Sequence, residues 1–125
     1  MIKANPTEEA KRYVENARAI LTTKAEKEGG FYQDRKYVRI AGNTAYNGIL
    51  VALDAIVPQP AKGRKSVEHY QRNIKDGKLI TLFNAAYDTL HLAMGYDGNL
   101  SVKVAQEGIS LSEKIISYVE TRLGT

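Results

Sequence analysis

The chain holds only two histidines, and each stands near a residue with which it could do chemistry. Asp88 and His91 are three positions apart, a spacing that on a helix puts a carboxylate and an imidazole on one face. Such a pair is half of a bundle metal site, which is completed by inward carboxylates from other helices. Asp54, Glu107 and Glu113 offer no second pair at matching spacing, so no metal and no cofactor are assigned. His69 follows Arg64 by five residues in RKSVEH. An arginine that stabilises phosphate charge beside a histidine that moves protons is the equipment of RNA cleavage. Both residue types also occur in ordinary basic linkers, so no catalytic residue is assigned, and Arg64 with His69 is the pair a ribonuclease reading would use.

The cations carry a second kind of chemistry. Residues 1 to 57 hold nine Lys and Arg against seven Asp and Glu, residues 58 to 78 six against two, and residues 79 to 125 three against five. The middle segment therefore accounts for the whole formal charge of +4. Arg35, Lys36 and Arg39 on one side, with Lys62, Arg64, Lys65 and Arg72 on the other, make a candidate patch for RNA or nucleotide phosphates. Tyr32, Tyr37 and Tyr70 lie near Arg35, Arg39 and Arg72 in sequence, and aromatic faces beside cations can stack bases. The plainer reading buries those rings and leaves their hydroxyls at the edge of the core.

What must position these residues is a helical scaffold. A chain of 125 residues fits one domain, residues 1–125, able to bury about two thirds of its unfolded surface. The absence of cysteine removes disulfides, zinc fingers and thiolate chemistry. No signal-like apolar run and no stretch of about 18 apolar residues occurs, so the reading is cytoplasmic with no membrane role. The stretch from Arg35 to Val57 is the organising element: Ala41, Ala45, Gly48 and Ala52 recur at helical spacing, flanked by Val38, Ile49, Leu53 and Ile56. Its small face lets other helices approach closely.

Asn5, Pro6 and Glu8 start the first helix, whose stripe is Ala10, Val14, Ala17 and Leu21 with Tyr13 and Ile20, and whose stop is Gly29-Gly30. Cations are disfavoured at a positive helix end, so Arg35, Lys36 and Arg39 imply either a start near Phe31 or a partner for their charge; the reading takes the early start. The segment 66–75 makes a short helix with Val67, Tyr70 and Ile74 inward, closed by Asp76-Gly77. Leu79, Phe83, Ala86, Leu90 and Ala93 mark a third long helix, ending at the GYDGN turn. Asn99 or Ser101 opens the last, with Val102, Ala105, Ile109, Ile116, Val119 and Leu123 inward and Leu111 and Ile115 widening the stripe. The expected fold is all-α, an up-down bundle of four long helices with a short connecting helix between the second and third. Wide stripes leave open whether Leu92 and Leu111 face the core or a partner.

The run Ala41 to Leu53, AGNTAYNGILVAL, resembles the second helix of HEPN (higher eukaryote and prokaryote nucleotide-binding) domains. Ala45-Tyr46 match its Ala-Tyr step, Asn47 stands where a second tyrosine is common, and Gly95-Tyr96-Asp97 resembles the exit from the third helix. The whole chain is also similar to a small bacterial family of unknown function with the same tyrosine-rich bundle. Active HEPN ribonucleases carry an arginine, usually a polar residue after it, then a histidine near the third-to-fourth helix junction. Thr89 to Asp97 contains no arginine. The resemblance therefore implies HEPN-like topology, a homodimer, and binding of nucleotide or RNA without cutting. The alternatives are a degenerate ribonuclease using Arg64 and His69, and a structural bundle that serves a protein partner.

Overall fold

A computed structural model describes residues 5–63 and 65–124. Helix α1 (Pro6–Thr23) opens as its first residues dictate: the Asn5 side chain accepts from the Thr7 amide at 2.9 Å, and Pro6 fills the first helical position. Its buried stripe includes Ala10, Val14, Ala17 and Leu21. The helix does not run to Gly29-Gly30, however. It ends at Thr23, and both Lys24 and Ala25 donate to the Ile20 carbonyl. The glycines instead make the turn of a small antiparallel hairpin, β1 (Lys27–Glu28) and β2 (Phe31–Tyr32), with Gly29 at φ 62°. A tight hairpin turn needs that left-handed conformation.

The hairpin explains a second departure from expectation. Phe31 and Tyr32 are unavailable to a helix, because the Tyr32 amide donates to Leu100 O at 2.8 Å while the Val102 amide donates to Gly30 O at 3.0 Å. Helix α2 (Arg35–Leu53) therefore begins at Arg35, capped by Asp34, whose carboxylate accepts from the Lys36 amide at 3.0 Å. The cations near its start have partners instead, described below.

After α2, residues 54–66 lead to the short helix α3 (Val67–Asn73), capped by Ser66. Asp76 does not close α3; it opens α4 (Gly77–Ala86), accepting from the Lys78 and Leu79 amides at 2.9 and 3.0 Å. Helix α4 passes directly into a π-helical segment, Tyr87–Tyr96. There the expected stripe slips by one residue: Met94, not Ala93, takes the fully buried place after Leu90. Closing each turn on the fifth residue widens the spiral, so a face is continued later than in an α-helix. Helix α5 (Val102–Leu123) starts from Ser101 and buries Leu111 and Ile115 with the expected stripe, but Leu123 is exposed. Leu92 is also exposed.

The small face of α2 does what small residues permit. A Cβ on Gly48 would lie 2.7 Å from Tyr13 Cβ of α1, and one on Gly42 would lie 2.5 Å from Met94 Cβ and 2.6 Å from Leu90 O of the π segment. On α5, Gly108 is likewise pressed against Leu90. Arg18 of α1 pairs with Glu113 of α5, and Lys11 with Glu120, so those two helices run antiparallel. Among the described residues the fold is thus all-α apart from one small hairpin, with a single core built on α2.

Candidate functional site

The cations singled out from the sequence fall at opposite ends of α2. Arg35 and Arg39 occupy its first turns and reach the exit of the π segment: Arg35 Nη1 donates to Asp97 O at 3.0 Å and Gly98 O at 3.1 Å, and Arg39 Nε donates to Tyr96 O at 3.2 Å. The carbonyls ending a helix carry partial negative charge, so these contacts offset the repulsion at the start of α2. Lys36 sits 4.7 Å above the Tyr37 ring. All three cations remain exposed.

Two side chains that the sequence did not single out as site residues join them. Tyr96 is 77% exposed and Phe31 is 60% exposed. Phe31 lies on the hairpin strand bridged to Ser101, and Tyr96 lies on the turn held by Arg39. Both therefore occupy the α2 N-terminal end. By contrast Tyr32 and Tyr70 are buried, so neither presents a free face. The signal that could have identified Phe31 and Tyr96 was position: each is a large aromatic bordering a glycine turn, outside every helical stripe.

About 28 Å away along α2, estimated from its helical rise, the second group is built differently. The Lys65 side chain is only 8% exposed. Its Nζ donates to Asp54 Oδ1 at 2.8 Å and to Val57 O at 3.2 Å, while the Tyr70 hydroxyl donates to the same carboxylate oxygen at 2.6 Å. Burial, together with the Asp54 hydrogen bond and charge, pushes the Tyr70 phenol well above its ordinary value. Lys65 is thus spent as a clamp on Asp54 and Val57 rather than offered to a ligand. Lys62 and Arg72 are exposed nearby, and Arg64 lies outside the described residues.

His69 is buried beside this clamp. Its Nε2 lies 2.7 Å from Pro58 O, and Asn73 Nδ2 lies 3.4 Å from its Nδ1 and 2.8 Å from its backbone carbonyl. A ring engaged at both nitrogens fastens α3 to the preceding loop. His91 is stacked on Tyr46 at 4.9 Å and tilted against Tyr87 at 5.3 Å, and its Nδ1 is buried without a hydrogen-bond partner among the described residues. Asp88 is exposed and does not share that face, because in a π-helical turn the residue four positions before His91, Tyr87, is its neighbour. Among the described residues no group of three His, Cys, Asp or Glu side chains could hold a metal. No described helix is long and apolar enough to cross a membrane.

Comparison with known proteins agrees with this architecture without adding an activity. A family described as a domain of unknown function (DUF5618) matches residues 5–121. A solved structure of a protein of unknown function from Dyadobacter fermentans is similar with 47% identity and a TM-score of 0.90, covering 94% of this chain and 95% of that one. No curated protein matches.

Proposed function

This chain belongs to the DUF5618 family of unknown function, and from that premise we propose that it is a HEPN-like binding module that holds single-stranded RNA or nucleotide without cutting it. The observation carrying this reading is the α2 N-terminal end, where exposed Phe31 and Tyr96 flank Arg35, Lys36 and Arg39. Each of the two arginines keeps guanidinium N–H groups beyond those spent on the π-segment carbonyls. Cations that track phosphates beside rings that stack bases are the equipment of sequence-tolerant single-strand binding. The engagement of His69 at both ring nitrogens favours binding over the ribonuclease alternative. Exposed Ile40 and Leu92 support the further reading that the module pairs with a second copy.

The test is fluorescence anisotropy with a short labelled oligouridylate, with light scattering on the same samples. Neutralising three phosphates gives a slope of about −2 in log affinity against log salt for a single strand. Tyr96→Ala and Phe31→Ala are each expected to weaken binding by about 1–3 kcal/mol per stacked base. Absence of binding at low salt, or affinity indifferent to both Tyr96→Ala and Arg39→Ala, would sink the proposal.

A further inference from the structure

Away from that end, α4 and α5 flank a cleft of about 810 Å³, a volume in the range of small-ligand sites, roughly 300–1,000 Å³. Its rim is cationic. Lys78 comes from the first turn of α4, and Lys114 and Arg122 come from α5, where eight residues place them about 12 Å apart. Neither Lys78 nor Lys114 has a carboxylate partner among the described residues. Glu113 also lines the cleft and Asp76 stands beside it, and both carboxylates have partners. Glu113 is held by Arg18 Nη2 at 2.9 Å. Asp76 accepts from the Lys78 and Leu79 amides and from the Tyr118 hydroxyl.

The interior is of another character. The Tyr118 hydroxyl bond to Asp76 holds its ring as one wall, Leu82 supplies a second apolar surface, and the lysine stems extend both. The hydrogen bond from Tyr118, then those from the Leu79 and Lys78 amides and last the Arg122 charge, keep the Asp76 carboxyl below its ordinary value. A cleft with cations on the rim and apolar surface inside matches a ligand with an oxyanion on an apolar body. We infer that the α4–α5 cleft binds a small organic anion of this kind, a use of the molecule distinct from the nucleic-acid reading.

The probe is anilinonaphthalene sulfonate, an oxyanion on an aromatic body, titrated into the folded full chain by fluorescence. The inference expects saturable binding with one site per chain, weakened at least about tenfold by combining Lys78→Glu with Lys114→Glu, since two charge-assisted contacts are reversed. Ser117→Trp, which fills the cleft from an exposed position, is expected to abolish it while circular dichroism shows an intact bundle. Arg39→Ala with Tyr96→Ala is expected to leave it unchanged. If binding is absent, survives both cleft variants, or is lost only in the Arg39 and Tyr96 variant, the inference is overturned. Displacement by inorganic phosphate at concentrations as low as those of the probe would overturn the requirement for an apolar body.

Discussion

Tyr46 shows how much one side chain on the small face of α2 is asked to do. It stacks on His91 at 4.9 Å and meets the Tyr87 ring at 6.0 Å and 61°. Burial, with the nearby Tyr87 hydroxyl adding to it, pushes its phenol from 10.0 to about 12. The folded protein thus keeps this proton after the unfolded chain has lost it. Because the unfolded state then binds fewer protons, stability is intact below about pH 10 and falls as pH rises toward 12. After allowance for solvent screening, the loss assignable to Tyr46 is about 1 kcal/mol at pH 11. Urea unfolding of the native chain and of Tyr46→Phe at pH 8 and pH 11 measures it. The phenylalanine retains the ring contacts, so the variant is expected to lose about 1 kcal/mol less stability between the two pH values. Equal losses would mean that the alkaline response belongs to other groups, Tyr70 and Tyr32 foremost, whose phenols are also raised.

At the scale of elements, close approach decides where the helices sit. Gly42 is the point where α2 meets the π segment, and a Cβ there would lie 2.6 Å from Leu90 O and 2.9 Å from the Gly95 amide nitrogen as well as against Met94. Backbone atoms cannot swing aside as a flexible side chain can, so Gly42→Ala is expected to cost about 1–3 kcal/mol in urea unfolding. Gly30→Ala, with nothing within 4 Å of the new methyl, is the control and should change little. A small effect at Gly42 would show that the π segment shifts freely. Much of this frame was legible beforehand: Asn5 and Pro6 announced α1, the small residues announced the crowded face of α2, and Asn99 or Ser101 announced α5, of which the fold uses Ser101. The π segment was not, because widening by one residue per turn leaves the same apolar letters in place and changes only which of Ala93 and Met94 points inward. Nor was the start of α2. The cations of its first turns look misplaced until the carbonyls of residues 96–98, 57 to 63 positions later, are brought to them.

For the molecule as a whole, the candidate site depends on which cations are left over after the fold has taken its own. Sequence proximity grouped Lys65 with Lys62 and Arg72, but the fold uses Lys65 to close residues 54–66 over the end of α2. This makes α3 a cover fastened at few points: Lys65 and Tyr70 on Asp54 at the end of α2, Gln71 on Asn84 of α4 at 2.9 Å, and the Tyr70 ring against Phe83 at 5.6 Å, while His69 on Pro58 ties it to the preceding loop. A unit held by so few polar ties opens locally at lower free energy than the helices packed on α2. Asp54→Asn isolates that step. The amide still accepts a hydrogen bond but no longer offsets the charge on a lysine that is 8% exposed. Stranding a buried charge is strongly destabilising, and because Asp54 itself is 43% exposed the expected cost is reduced to about 2 kcal/mol. If the cover opens as a unit, α3 amides exchange in the native chain at a lower opening free energy than the inner amides of α2 and α5, and Asp54→Asn speeds α3 exchange roughly 30-fold while that gap persists. Equal opening free energies for α3 and for the inner amides of α2 and α5 in the native chain would show instead that the clamp holds the entire bundle, and that the α2 N-terminal end and the cover are one cooperative body.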